Sequence, residues 1–203
     1  MTCYLQPPPS SQLILASQSP RRKHLLAEAG IFADKIIAAD IDETSLKNER
    51  PADYVLRMAF EKAHAVAGQQ GGQFILAADT AVACGRRILP KTEAIEEAKR
   101  CLELLSGRSH RVYGGICLYL PNGQCRLNLS VSRVKFRSLS EKDKQAYLHS
   151  REWEGKAGGY AIQGRGGLYI RRITGSYSNI VGLDMHKASC LLLGAGFNYV
   201  QPE

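Results

Sequence analysis

Four polar clusters interrupt the apolar runs of this sequence and hold most of its candidate chemistry: Ser17 to Arg22, Asp42-Glu43, Asp79 to Lys91, and Glu154 to Gln163. Asp79 directly follows the apolar run Phe74-Ile-Leu-Ala-Ala78. A carboxylate delivered by a buried strand can bind a divalent ion or take a proton from water, or it can simply cap the following turn. Glu43 supplies a possible second carboxylate for an ion held against phosphates. Arg21 and Arg22, with Ser17 and Ser19 beside them, read equally well as a solvated helix surface and as a phosphate grip at a helix start. The glycines and Gly-Lys-Ser/Thr ending of a Walker loop are absent. Lys62 and Lys91 are unremarkable singly; together they could neutralise charge on a phosphoryl group. In Lys156-Ala-Gly-Gly-Tyr-Ala-Ile-Gln-Gly164 the glycines permit close backbone approach, and Gln163 offers a donor and an acceptor to a base edge. Ser176, Tyr177, Ser178 and Asn179 can bond a ligand or each other.

The surrounding pattern supplies elements to carry these groups. Leu13 to Ser17 reads as a strand, followed by a helix capped by Ser19, opened by Pro20, striped with Leu25, Leu26 and Ala29, and stopped at Gly30. A short strand is expected at Ile36 to Ala39 and a helix from Pro51 to Ala67. Phe74 to Ala78 reads as a strand with Asp79 and Thr80 at its carboxyl end, and Thr92 to Leu105 as a helix with Ile95, Ala98, Leu102 and Leu105 facing the core. Val112 to Leu120 and Cys125 to Arg137 form a hairpin about Pro121-Asn-Gly123. A bulge near Ser132-Arg133 would reconcile the change of apolar phase in its second strand. Ser140 and Asp143 open a short helix to about His149. Leu168 to Ile173 reads as a strand, Gly175 to Ile180 as a loop, and Leu183 to Leu193 as the closing helix. Alternating strands and helices followed by a hairpin predict an α/β fold, a mixed twisted sheet with flanking helices and a central cleft. Residues 1–12 are expected to be a flexible tail, and 13–203 a single domain of two closely joined lobes.

Composition narrows the classes. The 203 residues carry a formal net charge of +8, which suits polyphosphate ligands, nucleic acid or an acidic surface without choosing among them. Aromatic residues are sparse around the basic clusters and no nucleic-acid reader motif occurs, so no nucleic-acid partner is expected. No apolar stretch is long enough to cross a bilayer, and the start lacks a signal core, so no membrane partner and a cytoplasmic location are expected. Six scattered cysteines at 3, 84, 101, 117, 125 and 190 lack zinc or redox spacing and read as free thiols.

In order along the chain, Leu15-Ala-Ser-Gln-Ser-Pro-Arg-Arg22, Ile41-Asp-Glu43, Ala78-Asp-Thr80, Lys91, Leu105-Ser-Gly107 with His110, Lys156 to Gly164, and Gly175-Ser-Tyr-Ser-Asn-Ile-Val-Gly-Leu183 resemble the signature of the Maf family of nucleoside triphosphate pyrophosphatases. The similarity spans residues 13 to 197. It implies an inosine triphosphate pyrophosphatase-like fold, a divalent cation (Mg²⁺ or Mn²⁺), a homodimer, and cleavage of a nucleoside triphosphate to monophosphate and pyrophosphate. Lys156 to Gly164 resembles the dTTP/UTP-preferring branch. The resemblance implies a catalytic role for Asp79 and specificity roles for Arg21, Thr80 and Gln163. Glu43 and Asp79 are then expected to hold the cation, with Asp79 orienting or deprotonating water. Glu43 and Lys91 join Asp79 as catalytic groups. Ser17, Ser19, Arg22, Lys62 and Lys156 are expected to bind substrate.

Three positions depart from the pattern: Thr92 and Asp184 stand where proline is usual, and Ser132-Arg133 where Thr-Glu is usual. Thr92 is expected to reposition Lys91 slightly. A methylated GTP, a modified pyrimidine nucleotide, or a non-catalytic nucleotide-binding role are the alternatives at this stage.

Overall fold

The computed structural model describes residues 12–70 and 72–198, so most of the expected N-terminal tail, with Cys3, lies outside the described residues. In chain order the elements are β1 (Leu13–Ala16), α1 (Pro20–Glu28), β2 (Lys35–Ile36), α2 (Pro51–Ala67), β3 (Phe74–Cys84), β4 (Arg87–Leu89), β5 (Lys91–Thr92), α3 (Ile95–Leu105), β6 (Ser109–Tyr119), β7 (Cys125–Phe136), α4 (Glu141–Ser150), β8 (Lys156–Ala157), β9 (Ile170–Thr174), α5 (Tyr177–Val181) and α6 (Met185–Gly194), with a 3₁₀ turn at Arg165–Tyr169. Among the described residues, seven strands form one mixed sheet in the order β2-β1-β3-β6-β7-β9, with β4 also on β3; β5 and β8 pair separately. The β2, β1 and β3 pairings are parallel, and β3, β6, β7 and β9 continue antiparallel. The α/β architecture expected from the sequence is present, and both halves share this one sheet.

One edge of β3 is incompletely covered. β1 pairs with residues 74–77 and β4 with residues 82–84, while β6 runs along the other edge. Residues 78–81 therefore face a gap. The chain turns to one side after β1 through α1 to β2, then returns on the other through α2 to β3, which makes the β1–β3 boundary a topological switch point. Asp79 and Thr80 sit in the gap. They lie within a longer strand, not at its end as the sequence suggested, because β6 keeps pairing with β3 beyond β1.

β1 and β3 are buried on both faces, and successive residues of each strand feed different cores. Ile14, Ala16, Ile75 and Ala77 pack under α2, whereas Leu13, Leu15, Leu76 and Ala78 join the larger core with α1, α3, α4 and α6 residues. α2 matches its expected limits, and its buried stripe includes Val55, Met58, Ala59, Ala63 and Val66. The helix lies directly on β6 at Gly115, where a Cβ atom would stand 2.0 Å from the Val55 carbonyl oxygen.

Several local expectations are corrected. Ser19 occupies the N-cap position of α1, but its side chain makes no capping bond; its N–H donates to Ser17 Oγ. Ala29 is exposed beyond the helix. α3 begins at Ile95, which is 46% exposed, because Thr92 is drawn into β5. The β6–β7 register has no bulge at Ser132-Arg133. The phase change has another cause: Leu127 and Val131 are exposed, while Ser130 and Ser132 on the other face are buried and bonded. A register shift does occur at Lys135/Phe136, opposite β9. β2 is Lys35–Ile36, β9 begins at Ile170 after the 3₁₀ turn, and the expected 175–180 loop contains α5. The Ser140–Asp143 capping box forms as expected. Among the described residues no helix is long and apolar enough to cross a membrane.

Candidate active site

A cavity of about 350 Å³ opens at the gap in β3, lined by Ser17, Ser19, Arg21, Arg22, Glu43, Lys62, Asp79, Thr80, Lys91, Lys156 and Gln163; Asp42 and Ser176 to Asn179 are outside the lining. Adjacent residues of a strand point to opposite faces. Asp79 therefore meets α2, and Thr80 meets the α1 and α5 side.

On the α2 side, the Lys62 ammonium bridges two carboxylates, 2.6 Å from Glu43 Oε1 and 2.7 Å from Asp79 Oδ1. Lys91 donates to the other Glu43 oxygen. Asp79 and Lys62 are buried, Glu43 is partly exposed, and Lys91 is exposed. Burial pushes the Glu43 carboxyl up, but hydrogen bonds and charge from Lys62 and Lys91 outweigh it and hold the group at about 2. Asp42 shapes the loop by accepting from Thr44 N at 2.9 Å, while the Glu43 carbonyl accepts from Tyr54 Oη at 2.9 Å. Two neighbouring acids thus divide into one that folds the loop and one that enters the cavity.

The other side is aimed by neutral acceptors. Arg22 donates from Nε to the Gly182 carbonyl at 2.8 Å, from Nη1 to Ser17 Oγ at 2.9 Å and from Nη2 to Thr80 Oγ1 at 3.2 Å. Thr80 Oγ1 in turn donates to the Gly182 carbonyl at 3.2 Å. Arg21 Nε donates to the Val181 carbonyl at 3.2 Å. Burial lowers the Arg22 pKa first; Asp79 opposes that shift and Arg21 adds to it. Lys156 is lowered by burial and then by Arg21, with Glu154 opposing. Glu154 itself pairs with Arg151 at 2.6 Å. Gln163 is exposed on the cavity lining.

Residues quoted within the sequence signature but assigned no role there complete the site. The Val181 and Gly182 carbonyls act through the backbone, which side-chain chemistry does not reveal. Tyr160 lines the cavity and its hydroxyl lies 2.8 Å from Nε2 of buried His110, whose pKa burial pushes down to about 4. The departures lie outside the lining. Thr92 is buried and its hydroxyl donates to the Trp153 carbonyl at 2.8 Å, fixing β5 beside β8 while Lys91 still reaches Glu43. Ser132 Oγ donates to the Ser176 carbonyl at 2.9 Å. Arg133 is exposed opposite Arg111. Asp184 caps α6 and accepts from Ser130 Oγ at 2.5 Å.

Among the described residues, no three His, Cys, Asp or Glu side chains gather to hold a metal. Glu43 and Asp79 nevertheless converge on one cationic nitrogen. Two hard carboxylates suit Mg²⁺ or Mn²⁺ when phosphate and water supply the remaining ligands.

A family model described as Maf-like protein matches residues 12–195. The chain belongs to the Maf family. A relative from Paramagnetospirillum magneticum (strain ATCC 700264 / AMB-1), named dTTP/UTP pyrophosphatase, is 54% identical over 185 residues, covering 91% of this chain and 97% of the relative. Another Maf relative of the same name, from Chelativorans sp. (strain BNC1), is 51% identical over 193 residues and covers 92% of each chain. The solved Ham1 protein of Staphylococcus aureus overlays with a TM-score of 0.45 at 14% identity, over 62% of this chain and 71% of that one. The Maf assignment rests on the sequence matches.

Proposed function

We propose that this protein hydrolyses dTTP and UTP between the α and β phosphates, releasing the monophosphate and pyrophosphate. The observation that carries the reading is the split cavity: two carboxylates bridged by Lys62 on one side of β3, and three cations, Arg21, Arg22 and Lys156, on the other. The names of relatives about half identical over nine-tenths of the chain supply the substrate pair.

Asp79 orients or deprotonates the attacking water. Arg22, Lys62 and Lys91 offset charge as pyrophosphate leaves, and Ser17 and Ser19 seat the phosphates. Glu43 and Asp79 would hold a divalent cation, which supplies charge neutralisation on the triphosphate and a template for it. Arg22 spends three of its five N–H donors on the protein, leaving two for phosphate oxygen.

Arg21, Thr80 and Gln163 read the base. A thymine or uracil edge presents an imide N–H between two carbonyl oxygens. Thr80 already donates to Gly182 and accepts from Arg22, so its remaining lone pair is an acceptor that suits the imide. Gln163 and Arg21 offer donors to the carbonyls. Cytosine, with no imide N–H and an amino group in place of one carbonyl, mismatches this set.

Purified protein incubated with Mg²⁺ or Mn²⁺ and a nucleotide panel tests the proposal. The expected products are monophosphate and pyrophosphate, formed fastest from dTTP and UTP. Diphosphate plus phosphate would move the cleavage site; faster cleavage of methylated GTP would replace the substrate; no turnover would leave a binding protein.

A further inference from the structure

The arginines and Thr80 are aimed by the carbonyls of Val181 and Gly182, at the end of α5. α5 has five residues, too few to keep a helical shape without tertiary support. The support comes from Asn179, which is completely buried. Its Nδ2 donates to the Val112 carbonyl of β6 and to Ser132 Oγ of β7, each at 3.0 Å. The Ser132 hydroxyl donates onward to the Ser176 carbonyl at 2.9 Å, and Ser176 Oγ accepts from Asn179 N at 3.1 Å. One amide and two hydroxyls thereby tie both strands to the start and middle of the short helix.

The fit is close on the opposite side as well. A Cβ atom on Gly114 would come within 2.0 Å of Asn179 Oδ1, so the amide lies against bare strand backbone. Among the described residues, buried Asn179 Oδ1 has no hydrogen-bond partner. An orphaned buried acceptor is unfavourable, a cost set against the two bonds made at the other end of the amide. The serine at position 132 retains the hydroxyl on which this connection depends.

We infer that Asn179 is a positioning residue for the anion-binding side of the cavity. It touches no substrate; it sets where the Val181 and Gly182 carbonyls stand, and through them the forks of Arg21 and Arg22. This rests on the reading of the cavity as a nucleoside triphosphate site.

The test measures pyrophosphate binding by calorimetry together with KM and kcat for dTTP in folded variants. Asn179→Asp keeps the shape but replaces the Nδ2 donor with a carboxylate acceptor facing the Val112 carbonyl. It is expected to weaken pyrophosphate binding and raise KM by about tenfold or more, with a fall in kcat no larger than that, because the displaced arginines hold the triphosphate in the ground state as well as offsetting charge as pyrophosphate leaves. Ser132→Ala, a milder change, is expected to raise KM by about threefold. Ser132→Thr, which keeps a hydroxyl at this position, is expected to behave as the parent. Unchanged pyrophosphate affinity in folded Asn179→Asp would overturn the assignment. If that variant fails to fold, an unchanged KM and pyrophosphate affinity in Ser132→Ala would overturn it instead. Loss of melting temperature or of active fraction with KM unmoved would also count against it, since that marks a merely structural role. A parent protein that binds pyrophosphate but leaves dTTP intact would defeat the functional reading, while the binding arm would still decide Asn179.

Discussion

The two sides of the cavity carry charge in opposite ways. On the α2 side, Glu43 and Asp79 meet the ammonium groups of Lys62 and Lys91, and the charges cancel in short contacts. On the α1 and α5 side, Arg21 and Arg22 are held by carbonyls and hydroxyls, which fix direction without removing charge. Mutual repulsion remains there: Arg21 lowers Lys156 beyond what burial does, and at Arg22 it acts against the larger opposing effect of Asp79. Neutral scaffolding leaves cations open to an anion, whereas in the ion-paired cluster each carboxylate already holds an ammonium group. The strand period produces this division: consecutive Asp79 and Thr80 face opposite sides at a place where, among the described residues, no strand covers one edge of β3. The sides meet at Arg22, whose charge Asp79 favours.

The strongest way to break the α2 side is Asp79→Asn, which keeps shape and removes charge. Turnover of dTTP is expected to fall by roughly 100- to 1,000-fold in steady-state assays, in line with loss of a positioned base and cation ligand. Near-normal turnover in a folded variant would remove Asp79 from the chemistry. Lys62→Met tests the cancellation itself. Removing the bridge leaves two carboxylates close together, one of them fully enclosed, and is expected to destabilise the protein by about 3–5 kcal/mol in urea unfolding. Added Mg²⁺ should recover part of that loss; stability unchanged by the substitution would show that the bridge is incidental.

His110 tests the support behind the other side, through Tyr160. Its folded-state pKa is held near 4, below the ordinary 6.5, because burial disfavours the charged ring. The unfolded chain therefore binds the extra proton first. The stabilising contribution is fully present above about pH 6.5 and fades as pH falls toward 4, by roughly 3 kcal/mol in all. His110→Phe should lose that part of the pH slope in unfolding curves at pH 7.5 and 4.5, and equal slopes would refute it. A smaller effect is expected from Gln163→Ala. Discrimination between UTP and CTP in kcat/KM should fall by about tenfold, with pyrophosphate affinity unchanged. Equal losses for all nucleotides would place Gln163 on the phosphates.

Much of this was legible before any coordinates. α2 announced itself through Pro51 and the apolar spacing to Val66, and the hairpin through Pro121-Asn-Gly123. Cluster positions alone left Arg21 and Arg22 undecided between surface and site; the family resemblance separated them. Lys62 carried an unused signal. It falls on the buried stripe of α2, between Met58 and Val66, where a solvated lysine does not belong. Other features were hidden for physical reasons. The β3 gap depends on the lengths of β1 and β4, which local patterns do not encode. The inner face of β7 carries Ser130 and Ser132 before Val134 and Phe136, so Leu127 and Val131 advertised the wrong side over its first half. Carbonyls that aim arginines leave no trace in residue type.

The division of labour across β3 is tested most directly by calorimetric binding of a non-hydrolysable α,β-methylene dTTP analogue, without divalent metal, to the parent, Asp79→Asn and Arg22→Lys. A lysine cannot reproduce the three-way fork to Gly182, Ser17 and Thr80, so Arg22→Lys should weaken the analogue by about tenfold or more. Asp79→Asn should bind it at least as tightly as the parent, because a negative charge near the phosphates is gone. Loss of affinity in Asp79→Asn with full affinity in Arg22→Lys would contradict the assignment of anion binding to the arginine side.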